Sequence, residues 1–187
     1  MLTMRRARAV DQEPIARMIH ARSAWLRERG MPGWEASADA LAAQAADPAM
    51  PVWVLTDDAQ VIGCTSLFDE SPAWFWTEEE RAEPALFMAT TVTDPRYAGQ
   101  RIGCHLAWWV LDHAARTERT WVRRGTTEPG LVRYYRDEQG WQVVREKERD
   151  GFRVIGLARR SQLLPDLPIS PDAGSEPGLS KLDRREP

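Results

Sequence analysis

A single α/β layered domain is the expectation for this chain, and three observations carry it. Its 187 residues suit one domain with a substantial core. Hydrophobic residues make up 43% and charged residues 28%, an ordinary globular balance. In the second half the apolar period switches repeatedly between two and 3.6 residues, so strands alternate with helices.

The elements follow in order. Residues 4–10 read as a first strand. Asp11 suits an N-cap for a helix whose inward face is Ile15, Met18, Ile19, Arg22, Trp25 and Leu26, and which Gly30 ends. After a loop at Met31-Pro32-Gly33-Trp34, a shorter helix runs from Ser37 to about Ala46 and stops before Pro48. Residues 52–56 and 60–68 form strands of a hairpin turning at Asp57-Asp58-Ala59. Residues 69–84 hold Asp69, Glu70, Glu78, Glu79, Glu80 and Glu83 around Trp74 and Trp76, and read as a loop too polar for core. Then come a strand at 85–93, a helix at 100–116, a strand at 120–124, a short helix at 129–137, and a hairpin of 141–146 with 152–159 across Arg149-Asp150-Gly151. Beyond Arg160 the chain turns to Pro, Ser, Asp and Gly without periodicity. The expectation is a domain over 3–160 and an unordered tail over 161–187, too poor in apolar surface to dock.

Charge excludes some functions. A net charge of −3 gives no general attraction to nucleic acid, and Arg119, Arg123, Arg124 and Arg133 form no groove-reading motif. No apolar run is long enough for a membrane span, and the first residues lead straight into a strand, so a cytoplasmic protein is expected. Cys64 and Cys104 show no metal-ligand spacing, and no metal is expected.

The candidate site begins where the strand at 85–93 meets the following helix. Asp94-Pro95 breaks the strand, a glycine-bearing loop follows, and Ile102, Leu106, Trp109, Val110 and His113 share a helical face. Free N–H groups at such a helix start suit an anion such as a pyrophosphate, and Gly99 and Gly103 would allow close approach to the main chain. The stretch Val92-Thr93-Asp94-Pro95-Arg96-Tyr97-Ala98-Gly99-Gln100-Arg101-Ile102-Gly103 resembles the acetyl-CoA loop of the GNAT N-acetyltransferase family, Q/R-x-x-G-x-G/A after a strand. Ala98 stands where Gln or Arg is usual, Arg101 where the first Gly is usual, and Gly103 matches the last small position. A second segment, Gly130 to Trp141, resembles the family's fourth helix ending in Tyr-x-x-x-Gly-Phe, with one extra residue between Tyr135 and Gly140 and Trp141 in place of Phe. The two lie in family order, and the resemblance covers roughly residues 3–160.

The resemblance implies a mixed, mostly antiparallel central sheet flanked by helices, and direct acetyl transfer from acetyl-CoA, as co-substrate, to a small-molecule amine. It assigns donor binding to Thr91, Val92 and Thr93 of the strand and to Tyr97, Ala98, Gly99, Gln100, Arg101, Ile102, Gly103 and Cys104. It implies a tyrosine that protonates the departing thiolate, Tyr135 by sequence or Tyr134 beside it. His105, just inside the helix, could touch a phosphate or simply pack. Family members often dimerise, which leaves a homodimer open. No general base stands out: Glu35, Glu79, Glu80 and Glu83 are each more simply read as solvated carboxylates. Of the nine tryptophans, Trp25, Trp34, Trp74 and Trp76 fall in the two regions that wall the acceptor site in the resembling family. With Glu35 and Glu83 they would suit a cationic or amphipathic acceptor; equally, the rings could seal the loop to the body. The competing reading is a non-catalytic acyl-CoA-binding or regulatory module of the same fold.

Overall fold

Strands with alternating or fully buried side chains assemble one mixed sheet in the computed structural model, which describes residues 1–171. Its strands are β1 (Leu2–Arg6), β2 (Val52–Asp57), β3 (Gln60–Phe68), β4 (Ala85–Thr93), β5 (Trp121–Thr126), β6 (Gln142–Arg149), β7 (Phe152–Arg160) and the two-residue β8 (Ser170–Pro171). The spatial order is β6-β7-β5-β4-β3-β2-β1-β8. β1 to β4 form an antiparallel meander, β5-β7-β6 are antiparallel, and β4 with β5 is a parallel pair. A parallel pair needs a crossover, which a helix between them supplies.

The helices are α1 (Gln12–Arg27), α2 (Ala38–Ala43), α3 (Glu78–Ala82), α4 (Ile102–Arg116) and α5 (Pro129–Gln139). α1 and α2 bury Ile15, Met18, Ile19, Ala38 and Ala42 against Val54, Cys64 and Val92 on one face. On the other, α4 and α5 bury Leu106, Val110, Tyr135 and neighbouring Trp141 against Leu55, Ile62, Leu86 and Val122. Each fully buried aliphatic side chain contributes about 1.5–3 kcal/mol relative to exposure. The expected sheet, flanking helices and single domain are all present.

Three boundaries differ from expectation. β1 ends at Arg6 because the Asp11 carboxylate accepts the Arg8 N–H at 2.8 Å and pairs with Arg5 at 2.6 and 2.8 Å, folding Ala9–Asp11 into a 3-10 turn. Asp11 thus precedes α1 without capping it through its side chain. The segment 69–84 is not all polar loop. Thr77 and Glu80 form a reciprocal capping box that starts α3, and Phe75 and Trp76 are buried against Ala158. Finally, the chain does not leave the domain at residue 161. Gln162 N–H donates to Leu111 O at 3.3 Å, Leu164 N–H donates to Asp112 Oδ1 at 2.8 Å, Ile169 is buried, and β8 lies parallel to β1. The expected tail is corrected over 161–171; its remainder, 172–187, lies outside the described residues.

Candidate active site at the parting of two strands

β4 and β5 are paired only from Ala85–Phe87 to Trp121–Arg123. Beyond that point β4 follows β3 and β5 follows β7, so the strands part and open a wedge. On the wedge side, the main chain of β4 after Phe87 has no strand partner among the described residues. β4 also bulges there: its register on β3 shifts between Cys64 and Ser66, and Thr90 sits at φ 47°. Positive φ is unfavourable for a β-branched residue and must be held by surrounding bonds. Thr65 Oγ1 does so, donating to Ala89 O at 3.0 Å and lying 3.1 Å from Thr91 Oγ1. A bulge re-aims main-chain groups, and this one lies directly before Thr91, Val92 and Thr93.

At the end of β4 the buried Asp94 accepts the Arg96 N–H at 2.9 Å and holds the Arg96 guanidinium at 2.6 Å. Burial opposes ionisation of Asp94, but these bonds outweigh it and keep its pKa below the usual value. The chain then turns through left-handed residues, Gly99 at φ 86° and Arg101 at φ 57°. Arg101 adopts the conformation a glycine takes freely, which accounts for the glycine usual at its position in the resembling loop. Cys104 and His105 N–H both bond to Arg101 O, at 2.8 and 3.1 Å. Ile102 and Gly103 begin α4, so no carbonyl of the helix accepts their N–H groups. Left-handed residues followed by a helix start make a concave row of donors that fits a phosphate.

Gly103 serves α5 rather than open approach from outside. A Cβ there would lie 3.4 Å from Tyr134 Oη, and Gln139 Nε2 donates to Gly103 O at 3.2 Å. Tyr97 packs on the core, while Ala98, Gly99 and Gln100 are exposed. The Arg101 guanidinium turns toward Glu138 at 3.4 Å and Trp108 at 5.3 Å. His105 meets Trp108 edge-on, and burial lowers its pKa.

α5 brings both tyrosines to this region with different partners. Its end absorbs the extra residue before Gly140: Gly140 N–H bonds to Tyr135 O five residues back, and Trp141 N–H reaches the same oxygen at 3.1 Å. Tyr134 Oη lies 3.1 Å from Cys104 Sγ, and burial with that contact pushes its pKa up to about 12. Tyr135 instead accepts a hydrogen bond from Arg124 Nη2 at 2.7 Å, with the guanidinium 3.6 Å from its ring centroid. Arg124 is 4% exposed, its Nε has no partner among the described residues, and burial lowers its pKa.

Arg22 lies half-buried on α1, 4.3 Å from the Trp25 ring centroid and within electrostatic reach of Tyr135. Arg29 lies 3.8 Å from the same ring. Burial first, then the charge of Arg29, lowers the pKa of Arg22, and its charge also feels the Tyr135 hydroxyl. Sequence reading missed the roles of Arg22 and Arg124. The available signal was a guanidinium at a helical position that otherwise requires an apolar residue, and a charge inside a core strand.

The other acceptor-wall candidates gather elsewhere. Trp76 is buried between Arg123 at 5.0 Å and Arg145 at 5.4 Å. Glu83 pairs with buried Arg123 at 2.5 Å and accepts from Trp121 Nε1 at 3.3 Å, and Glu80 pairs with Arg145. Trp74 lies under Arg149 at 4.4 Å. This cluster pins the 69–84 segment to β5, β6 and β7, as the sealing alternative expects. Trp34 donates its N–H to Ser23 Oγ at 2.8 Å near the end of α1, and Glu35 pairs with Arg27 at 2.7 Å. Among the described residues no helix is long and apolar enough to cross a membrane, and no cluster of His, Cys, Asp or Glu could hold a metal ion.

The model of the acetyltransferase (GNAT) family matches residues 18–141. No curated protein matches the chain. Among solved structures, a GNAT-family acetyltransferase from Streptococcus agalactiae superposes with a TM-score of 0.68 at 14% identity, over 86% of this chain and 96% of that one. The ribosomal-protein-S18-alanine N-acetyltransferase from Escherichia coli gives 0.59 at 12% identity, over 89% and 97%. A Salmonella typhimurium structure with its cofactor acetyl-CoA gives 0.52 at 15% identity, over 89% and 97%. At these identities the likeness is one of fold.

Proposed function

The chain belongs to the acetyltransferase (GNAT) family, and from that premise we propose that it moves an acetyl group from acetyl-CoA directly onto the amine of a small acceptor, with Tyr135 as proton donor. Bound acetyl-CoA supplies the acyl group as a thioester. The N–H groups of Gly99 and of Arg101 to Gly103 would hold its pyrophosphate, and the unpartnered edge of β4 around the Thr90 bulge would hold its amide-bearing arm. A C–N bond forms as the C–S bond breaks; the amine loses a proton and the sulfur gains one.

The observation that carries this reading is the Arg124–Tyr135 bond. The guanidinium only donates, so it occupies a lone pair of the Tyr135 oxygen and directs the hydroxyl hydrogen elsewhere. Among the described residues that hydrogen has no acceptor, so Tyr135 is set to donate into the wedge. The buried positive charge stabilises the negative charge left when the proton departs. Tyr134 is the weaker candidate: its hydroxyl already contacts Cys104 Sγ at 3.1 Å, and burial with that contact pushes its pKa up to about 12.

Turnover of acetyl-CoA with a panel of amines, followed by release of free thiol, tests the reading. CoA binding with no thiol release above hydrolysis would instead favour the acyl-CoA-binding module.

A further inference from the structure

Beside Tyr135 lie arginines whose positive charge no carboxylate among the described residues closely neutralises. Arg22 occupies an inward position of α1, stacked on Trp25, and no carboxylate pairs with it among the described residues. Arg29 shares the same indole, and its one ion pair, to the exposed Glu28 at 3.6 Å, is loose. Behind Tyr135, Arg124 is buried with no ion pair among the described residues. The carboxylate of Glu35 pairs with Arg27 at 2.7 Å. Glu83, expected to line the site, is bound to Arg123 in the other cluster, where Glu80 is bound to Arg145.

Two guanidinium groups held over one indole repel each other, and a half-buried arginine without an acceptor gives up solvation without compensation. An anion bound beside them relieves both penalties. Arginine's planar fork suits a carboxylate or a phosphonate, and the Trp25 ring offers a flat wall for the acceptor's carbon skeleton.

We propose that the acceptor is an amine that also bears an anionic group, a carboxylate or phosphonate, which Arg22 binds beside Trp25 while the amine points toward the thioester. This rests on the acetyl-transfer reading and departs from the cationic or amphipathic acceptor that the sequence offered as one of two readings. It makes Arg22 a specificity-determining residue, separate from the donor site at the start of α4.

The test uses matched pairs of amines: α-amino acids against their amides, and aminoalkylphosphonates against the corresponding amino alcohols. In the wild-type protein, kcat/KM should be at least 30-fold higher for the anionic member of some pair, and which pair shows it distinguishes carboxylate from phosphonate. Arg22→Gln should reduce that ratio to within about threefold, chiefly through KM, and Arg22→Lys should retain part of it. CoA affinity by calorimetry should stay within twofold in both variants. Equal or better use of the neutral members would overturn the proposal while leaving acetyl transfer intact. So would equal slowing of both members by Arg22→Gln, or loss of CoA affinity, which would place Arg22 on the donor. CoA binding without acetylation of any amine, charged or neutral, would overturn the transfer reading and this proposal with it.

Discussion

At the scale of single residues, the proposed chemistry turns on one hydroxyl that also accepts a hydrogen bond from a buried cation. Tyr135→Phe should lower kcat by roughly 10²–10⁴ with CoA affinity little changed. Because Tyr135 Oη is the hydrogen-bond partner of buried Arg124, the same substitution should also cost about 1–3 kcal/mol of stability. The double variant Tyr135→Phe with Arg124→Leu should recover much of that stability without recovering kcat. Recovery of both, or a larger kcat loss in Tyr134→Phe, would move the acid away from Tyr135. Gly156 gives a second residue-scale expectation. A Cβ there would lie 2.1 Å from Phe75 Cε1 and 2.8 Å from Cζ, so Gly156→Ala must displace the ring that anchors the 69–84 segment. Overpacking of this kind costs typically 1–3 kcal/mol. Phe75→Leu should relieve part of it, and denaturant unfolding of the single and double variants reads the effect.

Among the elements, legibility followed periodicity. β3, β4 and α4 carry long apolar patterns, so the sequence located them to within a residue or two. The loop proposed to bind phosphate was legible because a strand, a Pro-containing break and a helix start meet there. The segment 69–84 was misread because its charge suggested solvent, whereas Glu80 and Glu83 neutralise arginines reaching over from β5 and β6. Such pairing across 40 to 65 positions has no local signature. The Thr77–Glu80 box was a local signature, and it was overlooked. Arg22 appeared on the inward face of α1, but the sequence alone could not say that it comes within electrostatic reach of Tyr135.

α4 also carries a pH dependence. His113 stacks on Trp109 at 4.7 Å and packs near Trp53 at 5.0 Å. Burial, against the pull of Asp112 and with the push of Arg119, holds its pKa below the usual 6.5. The folded protein therefore binds fewer protons than the unfolded chain below that value. This contribution to stability is complete above about pH 6.5 and is lost as pH falls toward the folded pKa. Melting temperature should drop between pH 7 and pH 5, and the drop should be smaller in His113→Phe. Some dependence should remain, since burial lowers His105 in the same direction. Identical pH slopes for wild type and variant would reject the assignment.

For the whole molecule, the segment after β7 works as a strap. It passes α4 at Leu111 and Asp112, inserts Ile169 into the core, and ends beside β1. Residues 170–171 thus cover the edge of β1, which would otherwise present unpaired groups. A chain ending at residue 160 should therefore be less stable than one ending at 171. Burial of Ile169 alone is worth about 1.5–3 kcal/mol, and each kcal/mol moves the melting temperature of a domain this size by about 2–4 °C. With the Leu164–Asp112 bond also removed, a decrease of roughly 4–18 °C is expected. CoA affinity should remain within twofold, because Asp112 lies about 15 Å along α4 from the donor loop. Asp112→Ala in the longer chain should reproduce only a small part of the loss. Equal melting temperatures for the two lengths would mean that the strap adds nothing to the core. A parallel loss of CoA affinity would mean that it holds α4, and with it the donor loop, in place.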